Sequence, residues 1–224
     1  VTISGLNIIF GFPAPIILAL LLNEIRNSAF KRTIQTITYM PYFISIVVVC
    51  SLVRTYCQAD GIVSSIIVAF GGKAQNLLMN TKYFYPIYII SDIWKNIGWN
   101  SIIYLAALTS IDQEQYEAAK IDGAGRFKQM IHITLPGLLP TITVLFILRM
   151  GGLLNVGYEK ILLLYSPAIY EVADVISTYV YRKGIINAAY SYSTAVGLFN
   201  SLVNIFFLLM SNAISKKVTE SSLF

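Results

Sequence analysis

Asp92, Lys95 and Arg149 each interrupt an otherwise apolar run of this sequence. An ionisable side chain in such a setting is costly unless it is paired or faces water, which makes it a functional candidate by default. Asp92 and Lys95 stand three residues apart, so on a helix they share a face and can form a local ion pair. Contact with a substrate or with a gating element is the competing role for them, and snorkelling to an interface a third. Asn96, Trp99 and Asn100 continue the same stripe at three- to four-residue spacing. Facing lipid, such a stripe would cost several kcal/mol, of order 2–7 per unpaired polar group. Facing a cavity it costs little, and an indole there offers a flat apolar face to a solute. Asn155 and Tyr158 offer an amide and a phenol downstream of Arg149. A buried polar seam between helices, with no ligand, accounts for the same pattern.

Other chemistry finds little support. His132 is the only histidine, with no acidic or cysteine neighbour, and reads as a surface or packing residue. Cys50 and Cys57 lie seven apart, too far for a disulfide within one helix, and no metal-ligand spacing occurs. Gly71-Gly72-Lys73-Ala74 lacks the earlier glycine and the following hydroxyl of a phosphate-binding loop. A catalytic pair of aspartates in the apolar segments is missing too, because Asp92 stands alone there, so an intramembrane enzyme is disfavoured.

The charge-dense stretch Thr109–Pro140 has a different character. Asp112 is placed to cap a helix running through Glu114, Glu117 and Ile121. Asp122-Gly123-Ala124-Gly125 then breaks it, since glycine accepts left-handed conformations. A second short helix is expected over Arg126–Thr134, with Pro136 and Pro140 opening the next apolar segment. A rigid hairpin of this kind presents side chains to a partner and passes its motion to the adjoining helices. A plain solvated connector is the alternative.

The elements that must carry these residues follow from composition. Of 224 residues 56% are hydrophobic and 12% charged, about half the charge of a soluble domain, and the mean hydropathy is +0.68. These values exclude a disordered chain, an extended coiled coil and a nucleic-acid module, and disfavour a soluble enzyme. About 20 apolar residues cross a bilayer, and five spans are expected: Val1–Asn23, Thr33–Val53, Tyr83–Leu108, Leu138–Tyr158 and Ser193–Ile214. Ile62–Phe70 is too short to cross by itself. The chain starts in apolar sequence without Met, so a preceding segment is expected. Five spans put Arg26, Lys31, Arg32, Lys120, Arg126, Lys128, Lys216 and Lys217 on one side, against Lys73, Lys82, Lys160, Arg182 and Lys183 on the other. The excess of basic residues assigns the first group to the cytoplasm and Val1 to the outside. The pI near 9.1 suits an anionic inner leaflet. The fold class is therefore all-α, a polytopic helical bundle forming one domain over residues 1–224.

Glu117-Ala118-Ala119, then Gly123, then Ile133-x-Leu135-Pro136 resembles the EAA loop of binding-protein-dependent ABC importer permeases, matching at every defined position. Phe12-Pro13-Ala14-Pro15, Trp94-Lys95-x-x-Gly98-Trp99, Tyr104–Leu108 and Tyr192-Ser193-x-Ala195-x-Gly197-Leu198 are similar to the oligosaccharide and polysaccharide branch related to the larger maltose-importer permease. The resemblance implies a permease of the type I importer kind, with six or more helices, in a bacterial plasma membrane. It implies that Glu117, Ala118, Ala119, Asp122, Gly123, Leu135 and Pro136 couple to a cytoplasmic ATPase, Glu117 pairing with a basic residue of that partner and Gly123 making the bend. Two ATPase subunits, which bind the ATP and Mg, a second and different permease subunit, and an extracellular or periplasmic solute-binding protein complete such a transporter. This chain itself needs no cofactor. Trp99 aligns with an aromatic sugar contact, and Asn100, Lys95, Asn155 and Tyr158 are further path candidates. Where maltose-type permeases offer Ser, Phe and Asn to the sugar, Arg149, Gly152, Leu153 and Val156 stand here, pointing to a different, bulkier cargo. A permease for amino acids, phosphate or an osmolyte is the alternative reading.

Overall fold

The computed structural model describes residues 1–218, so residues 219–224 of the single-domain reading lie outside the described part. The described residues are helical with no strand. α1 spans Thr2–Glu24. After a three-residue turn come α2 (Ser28–Tyr39), α3 (Ile46–Cys57) and α4 (Ile62–Ala69). α5 (Thr81–Leu108) is followed by α6 (Gln113–Ile121) and by α7 (Arg126–Met150). α8 (Tyr158–Leu164), a single turn at Tyr170–Ala173, α9 (Ile176–Tyr181) and α10 (Tyr190–Val218) complete the chain. The starts of these helices are set by local side chains. Asn27, Ser45 and Asn80 accept from the backbone amides of Phe30, Val47 and Lys82, covering amides that a helix start leaves without a partner.

Four stretches are long and apolar enough to cross a bilayer: Thr2–Glu24, Ile46–Ala69, Arg126–Met150 and Tyr190–Lys217. α5 has the length, about 42 Å at 1.5 Å per residue, but its centre carries Asp92, Lys95, Asn96 and Asn100. The span expected at Thr33–Val53 is not one helix. Pro41 diverts α2 into a 3₁₀ turn, Met40–Phe43, and Ile44 is extended before α3 begins. The span expected at Leu138–Tyr158 starts earlier and stops earlier. α7 runs unbroken from Arg126 and ends at Gly151-Gly152, so Asn155 lies in the following turn and Tyr158 opens α8.

Pro136 does not begin a new helix, and the reason is a π-helical turn over Met130–Thr134 immediately before it. Proline lacks an amide and its ring clashes with the carbonyl four residues back. Widening the preceding turn by one residue moves that carbonyl aside. The same device occurs at Asn7–Gly11, ahead of Pro13 and Pro15.

α5 is the axis of the bundle. At one end Cys50, Leu77, Phe84, Tyr88, Ile161 and Ile169 form an apolar cluster, and both cysteines are free and buried in it. At the other end Ile16 and Ala19 of α1 pack with Tyr104, Leu108, Ile111 and Leu138. The polar middle of α5 lies between the two clusters. Leu198, Leu202, Ile205, Phe206 and Leu209 are exposed along α10, a surface that lipid or another apolar partner covers. α2 is held against α5 by close backbone approach: a Cβ at Gly98 would collide with the Thr38 carbonyl and the Tyr39 ring. Gly98→Ala is therefore expected to cost about 1–3 kcal/mol through overpacking. A lowered thermal unfolding midpoint of the detergent-solubilised protein checks this, with Gly197→Ala, where the added Cβ meets nothing, unchanged.

Candidate functional site

Asp92 sits at the centre of the polar stretch of α5 and is held from three elements. Asn7 of α1 donates to Oδ2 at 3.2 Å, and Asn96, one turn on, donates to Oδ1 at 3.3 Å. Lys160 of α8 reaches Oδ1 at 3.3 Å; its side chain is 4% exposed, against 25% for Asp92. The same ammonium donates to the Tyr88 carbonyl at 2.9 Å and lies 4.4 Å from the centre of the Tyr88 ring. The π-helical turn at Asn7–Gly11 begins at the residue whose amide reaches Asp92.

The local Asp92–Lys95 pair does not form. Lys95 donates instead to the carbonyls of Tyr42 at 2.8 Å, Ile44 at 2.7 Å and Pro41 at 3.4 Å. The break after Pro41 explains the exchange, because a helix end leaves its last carbonyls without amide partners and an ammonium supplies three donors. Lys95 thereby ties the broken second segment to α5. Tyr42 in turn stacks on Trp99, with ring centres 4.5 Å apart and planes 5° from parallel, and Phe43 meets the indole edge-on at 5.7 Å. Trp99 keeps 40% of its surface exposed.

Two cavities open along this seam. The first, about 440 Å³, is lined by Lys95, Asn155, Tyr158, Glu159 and Lys160 among others. The second, about 390 Å³, is lined by Phe12, Asn100, Ile103 and Tyr104 among others. Asn7, Asp92, Asn96 and Arg149 line both, so the two adjoin across the Asp92 centre. Of the residues singled out from sequence, Lys95, Asn155 and Tyr158 come together in the first cavity and Asn100 in the second. Trp99 lies on the same helix but in the wall of neither cavity. Asn155 is fixed from α10, accepting from the Asn200 side-chain amide at 3.0 Å. Sequence reasoning missed Asn7 and Lys160. Asn7 is a polar residue inside an apolar run, which was the available signal, whereas Lys160 follows Glu159 and reads as a loop cation.

Near the first cavity, Arg182 grips Asp174 through two hydrogen bonds of 2.5 and 2.9 Å. Burial pushes the Asp174 carboxyl up, but the hydrogen bonds from Arg182 and Thr178 outweigh it and hold the group below its ordinary value.

The Thr109–Pro140 stretch lies at the far end of α5 from Thr81. Asp112 accepts from the Glu114 amide at 2.9 Å and caps α6. Gly123 takes φ +75° at the bend, a conformation costly for residues with a Cβ. The Gln129 side chain closes the turn on the Ala124 carbonyl at 2.7 Å, and Tyr116 bonds Thr134 at 3.0 Å. Glu117, Ala118, Asp122 and Gly123 are exposed and Ala119 half-buried, while Leu135 and Pro136 are exposed on α7. Ile121 is 87% and Phe127 69% exposed, an apolar pair on an otherwise charged knob. His132 bonds only the Lys128 carbonyl one turn back.

An all-α bundle with adjoining cavities inside a lipid-facing shell, and a rigid knob at one end, defines a polytopic membrane subunit built around a solute path. The chain belongs to the family described as binding-protein-dependent transport system inner membrane component, which matches residues 11–220. It is 47% identical over 223 residues to protein LplB of Bacillus subtilis (strain 168), covering 99% of this chain and 70% of that one. It is 46% identical over 221 residues to the polygalacturonan/rhamnogalacturonan transport system permease protein YteP of the same organism, covering 98% and 69%. A chain in the crystal structure of a bacterial alginate ABC transporter, in complex with an alginate pentasaccharide-bound periplasmic protein, superimposes with a TM-score of 0.95 at 46% identity. That match covers 99% of this chain and 77% of the other.

The Asp92 centre makes a direct prediction. Lys160→Met removes the charge partner of the half-buried Asp92 carboxylate, which keeps its two amide donors, and is expected to cost about 1–3 kcal/mol. Adding Asp92→Asn removes the stranded charge and is expected to restore most of the loss, read as thermal midpoints of the three variants against the parent.

Proposed function

We propose that this chain forms half of the translocation path of an ATP-driven importer for an oligosaccharide or polysaccharide fragment. The observation that carries the reading is the pair of adjoining cavities along α5. Together they suit a hydroxyl-rich chain better than a compact solute. Two of the relatives described above are named for a cargo, polygalacturonan/rhamnogalacturonan and alginate, and this supports a polymer-derived sugar here. A second permease of different sequence closes the open side of the cavities. A solute-binding protein delivers the cargo to the Val1 end, outside the cell. Two cytoplasmic ATPase subunits bind ATP and Mg and supply the work, so this chain is not itself an enzyme and carries no cofactor.

The path is assigned to Trp99, Asn100, Lys95, Asn155 and Tyr158. The Tyr42 ring fixes the indole of Trp99 and leaves surface on which a pyranose can stack. Asn100 and Asn155 offer amide donors and acceptors to hydroxyls, and Tyr158 a phenol. The donors of Lys95 are spent on carbonyls, so its contribution is to hold the aromatic group in place. Coupling is assigned to the knob. Glu117 offers its carboxylate to a basic group of the ATPase, as a charge-assisted pair. Ala118 and Ala119 let the helix seat closely, while Asp122 and Gly123 form the bend. α7 runs without interruption from Arg126, through Leu135 and Pro136, to the cavity wall at Arg149, about 35 Å away. Displacement of the knob therefore reaches the cavity through one rigid element.

In the reconstituted transporter, Glu117→Ala is expected to cut substrate-stimulated ATP hydrolysis at least tenfold while the subunit still inserts and binds its partner permease. Trp99→Ala is expected to reduce sugar uptake several-fold with insertion unchanged. Undiminished uptake and stimulation in both variants would refute the assignment.

A further inference from the structure

Of the three cations that line the two cavities, Lys95, Lys160 and Arg149, only Arg149 has no bonded partner among the described residues. It lies in the last turn of α7 and lines both cavities, at their junction with Asp92 and Asn96. The side chain is exposed, and among the described residues no hydrogen bond or ion pair engages its guanidinium. The neighbouring cations are occupied. Lys160 is paired with Asp92 and the Tyr88 carbonyl, and Lys95 is held by three carbonyls. Asp92 in turn is satisfied by Asn7, Asn96 and Lys160, so it is not waiting for Arg149.

A cation near a helix C-terminus has an ordinary explanation, attraction to the terminal carbonyls. That account fails here, because the amides of Gly151, Gly152 and Leu153 already bond the carbonyls of Ile147, Arg149 and Met150. A fully hydrated guanidinium in a solute path is also a poor choice for a neutral sugar, whose hydroxyls an amide serves as well. Its planar fork matches one ligand type closely, a carboxylate bound through two parallel hydrogen bonds.

We propose that Arg149 reads a carboxylate of the passing cargo, so that the sugar carried is an acidic oligosaccharide of the uronate type. This rests on the sugar-permease reading above and narrows its substrate class. Glu159 is the one cavity carboxylate left without a bonded partner among the described residues, and it lines the first cavity only. An acidic sugar entering past Glu159 is drawn forward to the junction, where Arg149 stands.

The test uses the complete transporter in proteoliposomes, with its binding protein, and two probes: trigalacturonate and its fully methyl-esterified, neutral counterpart. Wild type, Arg149→Gln and Arg149→Lys are compared, with co-purification of the second permease and ATPase verified for each. The expected result is at least a tenfold loss of trigalacturonate uptake in Arg149→Gln and substantial recovery in Arg149→Lys. Ester uptake is expected to change less than threefold. If the wild type imports only the acid, rescue by lysine decides. Equal loss of both sugars, unchanged uptake of the acid in Arg149→Gln, no recovery with lysine, or loss of the partner subunits from Arg149→Gln would each overturn the role of Arg149. Wild-type import of the ester alone would overturn the acidic substrate class while leaving the sugar-permease reading standing. Import of neither sugar would count against both.

Discussion

A carboxylate in the interior of a lipid-facing bundle is tolerable only when donors surround it, and Asp92 dictates much of this molecule. Its three donors come from α1, α5 and α8 and lie 85, 4 and 68 positions away from it along the chain. Satisfying them fixes where α1 must present Asn7 and where the short α8 must dock. The polar groups drawn together leave a space that apolar side chains do not fill. The cavities on either side of Asp92 follow from that arrangement.

Proline placement is the second constraint. In α1 and α7 the turn before the proline widens and the helix continues, whereas at Pro41 the helix ends and Lys95 covers the freed carbonyls. At Pro86 the helix continues with no widened turn, so the surroundings of each proline, and not the residue alone, decide the outcome. For α7 the outcome has mechanical value, since a broken helix would not transmit displacement from the knob to the cavity wall.

Much of the knob was legible because its determinants are local. Asp112 at a cap position and Gly123 at a bend act within a few residues, and the structure places a capped helix and a left-handed turn there. The all-α membrane class was equally legible, from composition. The centre of the path was not. The i, i+3 relation of Asp92 and Lys95 is a valid local option, but Lys160 lies 68 positions away from Asp92 and three carbonyls at the break after Pro41 claim Lys95. Span limits failed for a related reason. Apolar content continues past Gly151-Gly152, where the backbone turns, so hydropathy alone carried the fourth span through Asn155 to Tyr158. Trp99 was placed on the right helix, but its stacking on Tyr42 depends on a chain break that no periodicity announces.

The central claim is that the Asp92–Asn100 face of α5 borders a water-filled path and that the opposite face does not. The direct measurement is thiol reactivity in the assembled transporter, in a background with Cys50 and Cys57 replaced by alanine. Asn100→Cys places a thiol in the second cavity, and Trp94→Cys places one in the apolar groove formed with Val49, Leu52 and Val53. A membrane-impermeant maleimide is predicted to modify the Asn100 site readily, at a rate that changes when ATP hydrolysis is trapped, and to leave the Trp94 site unmodified. Equal reactivity at the two sites, or an Asn100 site inert in every nucleotide state, would contradict the account.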